Sequence, residues 1–299
     1  MTRVFGVMGY PISHSLSPVM HNAAFEALGL DAIYAPFEVP PPQLKSVLQG
    51  LQVMGVDGLN VTAPLKERLA RLLPGTDLDR VAAALGAVNT LAQRDGRLIG
   101  YNTDVEGFRR ALIEEMRCDI RKKRVLLLGA GGAARAVAWA LAQLGPEMLW
   151  VANRTAAHAN RLARWLRRYT PRLTIEVVPF GRRSTAKALA QADVLVNATS
   201  LGLRPGDALP VDPVAIHKRL MVFDLVYPVR PSLWGAGGRA PTTALVRQAR
   251  RRGAFAIDGL PMLIYQGAES FRLWWQREPP LDVMRRAVAR AVGSRVHSP

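Results

Sequence analysis

The chain has 299 residues, 49% hydrophobic and 21% charged, which is a globular composition and enough length for about two domains. The single cysteine, Cys118, excludes an intrachain disulfide framework and a CxxC metal pattern, and it favours a reducing compartment. The first residues carry too short an apolar run for a signal peptide, so we expect a cytoplasmic protein.

The net charge of +17 makes nucleic acid a possible partner. Local basic runs occur at 121–124 and 249–253, but the arginines are spread over the whole chain. The sequence contains no zinc finger, aromatic RNP-like segment or basic tail. We therefore expect a solvated basic surface and no nucleic-acid partner.

The first hundred residues alternate between two kinds of segment. Strand-like stretches at 4–9, 32–39 and 56–62 are followed by helix-like stretches at 18–30, 41–51 and 64–73. A hairpin is expected next, with strands at 87–93 and 97–102 joined through Arg94, Asp95 and Gly96. This order predicts a mainly parallel sheet covered by helices.

A second alternation begins with the apolar stretch 125–145. By length this stretch could span a membrane, but a glycine cluster and Arg135 interrupt it, which favours a buried strand followed by a helix. Further strands are expected at 148–153, 174–180, 193–199, 220–227 and 254–258. This block predicts a dinucleotide-binding domain, and 230–242 is predicted to be a surface loop.

Two helical segments, 262–275 and 281–292, follow the second block. Right-handed crossover rules allow such helices to return to the first domain. We therefore expect an α/β protein of two domains. A discontinuous substrate-binding domain would comprise 1–104 and 259–299, and a Rossmann-type domain would comprise 105–258.

The sequence GAGGAA follows the first strand of the second block and opens a helix. In that context Gly129 permits a tight turn, Gly131 lets a pyrophosphate approach the backbone, and Ala134 allows close helix packing. The helix N-terminus would attract the phosphates. The alternative is that these glycines serve strand-to-helix packing alone.

The next strand ends in VANRT, where an NAD-binding domain would place an acidic residue. Asn153 and Arg154 stand there instead. Because a guanidinium pairs with a 2′-phosphate that a carboxylate would repel, the sequence favours NADP over NAD. Arg154 could also be an ordinary surface residue. Asn197 to Thr199 end another parallel strand, where open α/β sheets bind ligands.

Lys66 has an unusual predicted position. We expect Pro64 to occupy the first helical position, which places the lysine in the first turn, where the helix dipole opposes a cation. Asn60 and Thr62 precede it on an apolar strand, so a site for a small anionic or hydroxylated substrate is one interpretation. A solvated surface lysine is the other.

Four further polar residues in the first domain could have a structural or a binding role. Ser17 could be a helix N-cap, or with Ser15 it could hold a carboxylate at the helix N-terminus. Asp104 could cap a helix starting near Val105. Asn89 lies in an apolar strand, where its amide needs hydrogen-bond partners.

Eight motifs occur in the order PISHSLSP, NVTAPLK, GAVNT, GYNTD, GAGGAARA, ANRT, NATS and MLIYQGAESF. As a set they resemble the shikimate dehydrogenase family over nearly the whole chain. The resemblance implies reversible, NADP-dependent reduction of 3-dehydroshikimate to shikimate, a step of aromatic amino-acid biosynthesis. It also implies that the substrate lies in a cleft between two domains.

The resemblance implies a role for each matching residue. Lys66 and Asp104 would be catalytic, and no metal is implied. The substrate carboxylate would be bound by Ser15 and Ser17, and the rest of the substrate by Thr62, Lys66, Asn89, Asp104, Tyr227 and Gln266. The cofactor would be held by Gly129, Ala130, Gly131, Gly132, Ala133, Asn153, Arg154, Thr155, Thr199, Leu225 and Gly259.

Three positions depart from the pattern of the family. His158 stands where a basic residue often helps to hold the 2′-phosphate, so the preference for NADP would rest on Arg154 or be weaker, with NAD as a secondary cofactor. Val105 and Pro261 replace usual glycines. The loop after Tyr227, with a glycine-rich stretch at 235–238, is longer than usual.

The implied chemistry needs a proton donor beside the ketone oxygen, and a protonated lysine can serve. We expect Lys66 to be this acid/base group and Asp104 to orient it. One alternative is a quinate/shikimate dehydrogenase that uses NAD or NADP. A second is a dinucleotide-binding regulatory protein without catalysis. We expect a small-molecule substrate, no membrane association, and a monomer or homodimer.

Overall fold

The computed structural model describes residues 1–204, 206–227 and 242–293. The chain divides into two compact units, Met1–Gly107 with Leu263–Pro299, and Phe108–Met262. The segment 228–241, which contains most of the predicted surface loop and its glycine-rich stretch, lies outside the described residues.

Strands and helices alternate along most of the chain. The strands are β1 (Arg3–Gly9), β2 (Ala32–Glu38), β3 (Gly58–Val61), β4 (Thr90–Arg94), β5 (Arg97–Tyr101), β6 (Arg124–Leu128), β7 (Met148–Ala152), β8 (Thr174–Val177), β9 (Val194–Asn197), β10 (Met221–Asp224) and β11 (Phe255–Ile257). The helices are α1 (Ser17–Ala27), α2 (Leu44–Val53), α3 (Lys66–Leu72), α4 (Arg80–Leu85), α5 (Asp104–Arg110), α6 (Gly132–Leu144), α7 (Ala156–Tyr169), α8 (Ala186–Gln191), α9 (Ala244–Arg251), α10 (Leu260–Trp275) and α11 (Leu281–Val292). A π-helical turn at Ala111–Glu115 continues α5.

The first unit contains a five-stranded sheet in the order β2-β1-β3-β4-β5. β1 pairs in parallel with β2 and β3, whereas β4 is antiparallel to β3 and to β5. Four strands therefore run in one direction and β4 opposes them. The predicted hairpin is present as β4 and β5, with Asp95 and Gly96 at positive φ in its turn.

Both faces of this sheet are buried. Because successive side chains of a strand point to opposite faces, Phe5 and Met8 of β1 enter different cores. Phe5 contacts Phe25 of α1 and Trp274 of α10, with ring centroids 5.4 and 5.0 Å apart. Met8 belongs to a second cluster with residues of α2 and α3, including Leu44 and Leu69. The unit thus has three layers, with helices on both faces.

The second unit contains a six-stranded sheet in the order β11-β10-β9-β6-β7-β8, and every described pairing is parallel. The strand order reverses between β6 and β9, which is where such sheets bind ligands. The four apolar residues of β6, 125–128, are buried because the strand lies in the middle of the sheet. The predicted α/β class and the Rossmann-type sheet are confirmed.

Several local predictions were wrong or incomplete. Helix α3 begins at Lys66 rather than at Pro64, which lies before the helix after a cis peptide bond. Short helices α4 and α8 were missed because six residues carry little periodicity. For α4 the signals were caps, since Asp79 accepts hydrogen bonds from Val81 and Ala82, and Gly86 ends the helix at φ 60°.

Within the described residues, no helix is long and apolar enough to cross a membrane. The apolar stretch 125–145 is divided between β6 and α6.

Candidate active site

One edge of the first sheet gathers the polar residues of that unit. Parallel strands β1 and β3 and strand β5 end at this edge, and the antiparallel strand β4 begins there. The segments that follow or precede these ends carry the predicted residues of the unit. They are Ser15, Ser17, Thr62, Lys66, Asn89 and Asp104.

Lys66 and Asp104 form a largely buried ion pair. Lys66 Nζ donates a hydrogen bond to Asp104 Oδ2 over 2.6 Å, and the two side chains are 17% and 7% exposed. Lys66 is the first residue of α3 and Asp104 the first residue of α5. The carboxylate of Asp104 therefore compensates the cation that the start of α3 disfavours.

Asp104 does not act as a simple helix cap. Its Oδ1 accepts a hydrogen bond from Asn89 Nδ2 over 2.8 Å, so both carboxylate oxygens face side chains of other segments. The main-chain N–H of Asp104 donates to Asn102 Oδ1 over 3.2 Å. The carboxylate oxygens of Asp104 are therefore available to Lys66 and Asn89.

Asn89 has the partners that its burial demands. Its Nδ2 also lies 3.0 Å from Thr103 Oγ1, and its Oδ1 accepts from the main-chain N–H of Thr103 over 2.7 Å and from Thr90 Oγ1 over 3.0 Å. These bonds fix the amide beside Asp104. The structure thus brings together Lys66, Asn89 and Asp104.

Gln266 reaches the same cluster from α10. Its Oε1 lies 3.5 Å from Thr103 Oγ1, and its Nε2 donates to the main-chain oxygen of Leu263 over 2.8 Å. One helical turn later, Ser270 Oγ donates to the main-chain oxygen of Gln266 over 3.0 Å. Helix α10 therefore presents Gln266 and Ser270 on the face that meets the polar cluster.

A buried polar network behind these residues was largely missed. Its members beyond Asn89 are Tyr34, Asn60, Thr90, Thr103 and Ser270. Asn60 was noted only as a neighbour of Lys66, and the others were not singled out. The available signal was a polar side chain inside an apolar segment, since such groups need partners when buried.

The serines lie at the start of α1. Ser17 is the first helical residue and the N-cap position is Leu16, so the interpretation of Ser17 as the N-cap was wrong. The main-chain N–H of Ser17 donates to Ser15 Oγ over 3.3 Å. Thr62 follows β3, and its N–H donates to the main-chain oxygen of Met8 over 2.9 Å, which holds it beside the end of β1.

The glycine-rich turn of the second unit lies where its strand order reverses. Gly129 has φ 111°, and an added Cβ would lie 2.7 Å from the main-chain oxygen of Ala198, which follows β9. A Cβ on Gly131 or Gly132 would meet open space. Gly129 is therefore required by the backbone of the turn itself, whereas Gly131 and Gly132 leave room for a ligand at the start of α6.

The segment after β7 is exposed and follows the neighbouring strand. Asn153 Nδ2 donates to the main-chain oxygen of Thr155 over 3.0 Å, and α7 begins at the next residue. Arg154 and His158 are exposed there. No carboxylate occupies positions 153 to 155, so the local charge suits a phosphorylated ribose.

Thr199, Leu225 and Gly259 surround the ends of β9 and β10. Thr199 Oγ1 donates to Asn197 Oδ1 over 2.7 Å, and the N–H of Leu225 donates to the main-chain oxygen of Asn197 over 2.9 Å. An added Cβ on Gly259 would lie 2.0 Å from the main-chain oxygen of Leu225. Tyr227 belongs to this unit as well, and burial raises its pKa to about 12.

Asp224 is a buried carboxylate beneath these residues that sequence reasoning missed. It accepts hydrogen bonds from Asn197 Nδ2 at 2.8 Å, Thr243 Oγ1 at 2.6 Å and the N–H of Val226 at 3.3 Å. Burial raises its pKa to about 6, partly offset by these bonds, while nearby Asp258 raises it further. The carboxylate is therefore ionised at neutral pH and holds together the turns after β9 and β10.

This pKa predicts a pH-dependent contribution to stability. The folded state binds the proton of Asp224 more tightly than the unfolded state does. The protonated carboxyl therefore adds to the free energy of unfolding, fully below about pH 4, and this stabilisation is lost as pH rises through about 6. Urea unfolding of wild type and Asp224→Asn should give free energies whose difference changes by up to about 3 kcal/mol across this range. Parallel curves for the two proteins would contradict the assignment.

Sequence profiles of one family cover most of the chain. The profile for the shikimate dehydrogenase substrate binding domain matches residues 7–91, and that for shikimate / quinate 5-dehydrogenase matches residues 111–232. The profile for the shikimate 5'-dehydrogenase C-terminal domain matches residues 259–289.

Individual proteins give the same result. Shikimate dehydrogenase (NADP(+)) of Methanothermobacter thermautotrophicus is 43% identical over 97% of this chain and 97% of its own length. The shikimate 5-dehydrogenase of Thermus thermophilus, crystallised with NADP(H) and shikimate, is 37% identical with a TM-score of 0.82, covering 97% of this chain and 100% of the other. Quinate dehydrogenase from Corynebacterium glutamicum in complex with NAD is 30% identical with a TM-score of 0.84, covering 97% and 99%. The chain belongs to the shikimate dehydrogenase family.

Proposed function

We propose that the protein is an NADP-dependent shikimate dehydrogenase, which reversibly reduces the ketone of 3-dehydroshikimate to the hydroxyl of shikimate. The observation that carries this proposal is the Lys66–Asp104 pair, in which a protonated amine is held 2.6 Å from a carboxylate. NADPH, when bound, supplies the hydride that this reduction needs. The chain supplies the proton and the binding groups.

Lys66 is the acid/base group of the proposed reaction. Negative charge develops on the ketone oxygen as the carbon is reduced, and a protonated amine beside that oxygen can stabilise the charge and then donate a proton. Asp104 accepts a hydrogen bond from Nζ and so fixes the position of the amine. In the oxidation direction the neutral amine takes the proton back.

The other polar residues bind the substrate. Ser15 and Ser17 lie at the start of α1, where their two hydroxyls and the positive end of the helix dipole suit the substrate carboxylate. We assign Thr62, Asn89, Asp104 and Gln266 to the ring hydroxyls, since amides, carboxylates and hydroxyls can both fix and discriminate such groups. Tyr227 is a further proposed substrate-binding residue.

The second unit holds the dinucleotide in this proposal. The open space beside Gly131 and Gly132 at the start of α6 fits a pyrophosphate. Asn153, Arg154 and Thr155 after β7 fit the phosphorylated ribose, and Thr199, Leu225 and Gly259 fit the nicotinamide end. The second candidate, a quinate/shikimate dehydrogenase using NAD, is favoured by the similarity to the quinate dehydrogenase of C. glutamicum.

A steady-state assay that crosses two substrates with two cofactors tests the proposal. We expect kcat/KM to be highest for shikimate with NADP, because Arg154 replaces the acidic residue that would repel a 2′-phosphate. A higher value for quinate with NAD would select the second candidate. No turnover with any of the four pairs would contradict both and leave a dinucleotide-binding protein without this activity.

Arg154→Ser tests the cofactor assignment in the same assay. Loss of charge-assisted hydrogen bonds to a phosphate should raise KM for NADP by about tenfold or more and leave KM for NAD nearly unchanged. Arg251→Ser, at the exposed end of α9, removes an equal charge and is the matched control. An equal effect of Arg154→Ser on both cofactors would contradict a role in 2′-phosphate binding.

A further inference from the structure

The orientation of the Asn60 amide in the buried network follows from its neighbours. Its Nδ2 lies 3.3 Å from the main-chain oxygen of Asn89, a group that can only accept, so this atom must be the donor. Oδ1 therefore faces Tyr34, whose hydroxyl donates to it over 2.8 Å. Nδ2 has three acceptors within reach, the main-chain oxygen of Asn89, Thr90 Oγ1 and, nearest at 2.8 Å, Ser270 Oγ. Tyr34 thus begins a series of hydrogen bonds that leads through Asn60 to Thr90.

Thr90 is the next member of this series. Asn60 Nδ2 donates to Thr90 Oγ1 over 3.0 Å, and Asn89 Oδ1 lies 3.0 Å from the same hydroxyl. In these two contacts the partner sets the direction, so Thr90 accepts from the Asn60 amide nitrogen and donates to the Asn89 amide oxygen. Ser270 Oγ is also 3.0 Å from Thr90 and Thr103 Oγ1 is 3.3 Å away; because Ser270 directs its own proton to the main-chain oxygen of Gln266, it is an acceptor toward Thr90.

Asn89 links Thr90 to the ion pair. Its Oδ1 has three donors around it, the hydroxyl of Thr90 and the main-chain N–H and hydroxyl of Thr103. Its Nδ2 must therefore point away from them, and it donates to Asp104 Oδ1 over 2.8 Å. The other oxygen of Asp104 is left to accept from Lys66. All the hydrogen bonds from Tyr34 to Asp104 run one way.

The first member of the series is rigidly held. Tyr34 is only 2% exposed, and Asn22 bonds its main chain on both sides, at 2.8 and 2.9 Å. Its ring stacks on His21, with centroids 4.5 Å apart and planes at 12°. Burial raises the pKa of Tyr34 well above its usual value, so the hydroxyl keeps its proton.

We propose that Thr90, aligned by Asn60 and Tyr34, is a positioning residue for the reaction, because its hydroxyl fixes the amide of Asn89 and thereby the carboxylate that holds Lys66. Thr90 itself acts through Asn89. The inference rests on the proposed function, because the geometry that it preserves is that of the acid/base pair. Loss of the Thr90 hydroxyl removes one of the hydrogen bonds that hold Asn89 Oδ1, leaving mainly the main-chain N–H of Thr103, and so loosens the amide beside Asp104.

The test compares Thr90→Val, which removes the hydroxyl at nearly constant volume, with Thr90→Ser, which keeps it. Thr90→Val should lower kcat for shikimate oxidation by about tenfold while KM changes much less, as expected for one lost hydrogen bond that matters in the transition state. Thr90→Ser should recover most of the lost kcat. Thr185→Val is the matched control, because Thr185 is a fully buried threonine of the second unit that donates to the main-chain oxygen of Gly181.

A double-mutant cycle asks whether Thr90 acts through Asn89. In an Asn89→Ala background, Thr90→Val should reduce kcat little further, since the group that it orients is gone. Tyr34→Phe should reproduce part of the effect from the other end of the series. Fully additive losses, or an unchanged kcat in both Thr90→Val and Tyr34→Phe, would overturn the inference.

A spectroscopic readout separates this inference from the proposed function. The side-chain amide protons of Asn89, identified by their loss in Asn89→Ala, should shift in the NMR spectrum of Thr90→Val and return toward their original positions in Thr90→Ser. Unchanged resonances in Thr90→Val would overturn the inference even in an active enzyme. If wild type does not oxidise shikimate, the proposed function fails, and these resonances decide the positioning role alone.

Discussion

Lys66→Ala should lower kcat for shikimate oxidation by about 100- to 10,000-fold, which is the usual cost of removing a general acid/base. The substitution deletes the only amine that the proposed mechanism places at the reacting oxygen. KM should change much less, because the serines and the hydroxyl-binding residues remain. Initial rates over a range of shikimate concentrations at saturating NADP measure both constants.

Two further variants make the Lys66 result specific. Lys45→Ala removes an exposed lysine from α2 and should leave kcat unchanged. Asp104→Asn alone should lower kcat, but in the Lys66→Ala background it should lower kcat little further, because the two groups act as a unit. Near-normal turnover by a folded Lys66→Ala protein would remove Lys66 from the acid/base role.

Gly129→Ala should destabilise the second unit and impair NADP binding. The residue has φ 111°, and an alanine Cβ would lie 2.7 Å from the main-chain oxygen of Ala198, so the turn after β6 must move. Backbone strain of this kind costs on the order of 1–3 kcal/mol, and a displaced turn would weaken NADP binding by about ten- to a hundredfold. Urea unfolding and titration of NADP by intrinsic fluorescence measure the two effects.

Gly131→Ala separates the effect of this turn on stability from its effect on NADP binding. Its Cβ would meet open space in the protein, so the free energy of unfolding should stay close to that of wild type. The methyl group would nevertheless occupy the space that we assign to the pyrophosphate, and NADP binding should weaken. If Gly131→Ala bound NADP normally, the pyrophosphate would have to lie elsewhere.

The overall fold was largely predictable because the hydrophobic pattern of a long segment indicates whether it forms a helix or a strand. The β6–α6 unit was recognised from an apolar strand, a glycine cluster and the helical segment that follows, and the structure confirms it. The start of α3 was misplaced by two residues, since a proline commonly opens a helix but Pro64 precedes this one. The domain boundaries at 104 and 259 stay a prediction.

The candidate site was predictable only where a motif carried it. Lys66, Asn89 and Asp104 were named from the sequence and lie in contact, although their catalytic and binding roles remain proposals. Thr90 and Ser270 were missed because a hydroxyl in an apolar segment has no distinctive spacing. Their importance depends on contacts between distant segments, such as Asn60 and Ser270, which are 210 positions apart.

The same long separations bear on how the chain folds during synthesis. Residues 108–262 are continuous and can fold as soon as they leave the ribosome, whereas the sheet that begins the chain needs contacts from its far end. Trp274, from α10, donates to the main-chain oxygen of Leu91, and Ser270 completes the network around Asn60. The unit that is synthesised first is therefore the last to be completed, and a chain arrested before residue 270 would hold all of the second unit but lack part of the first.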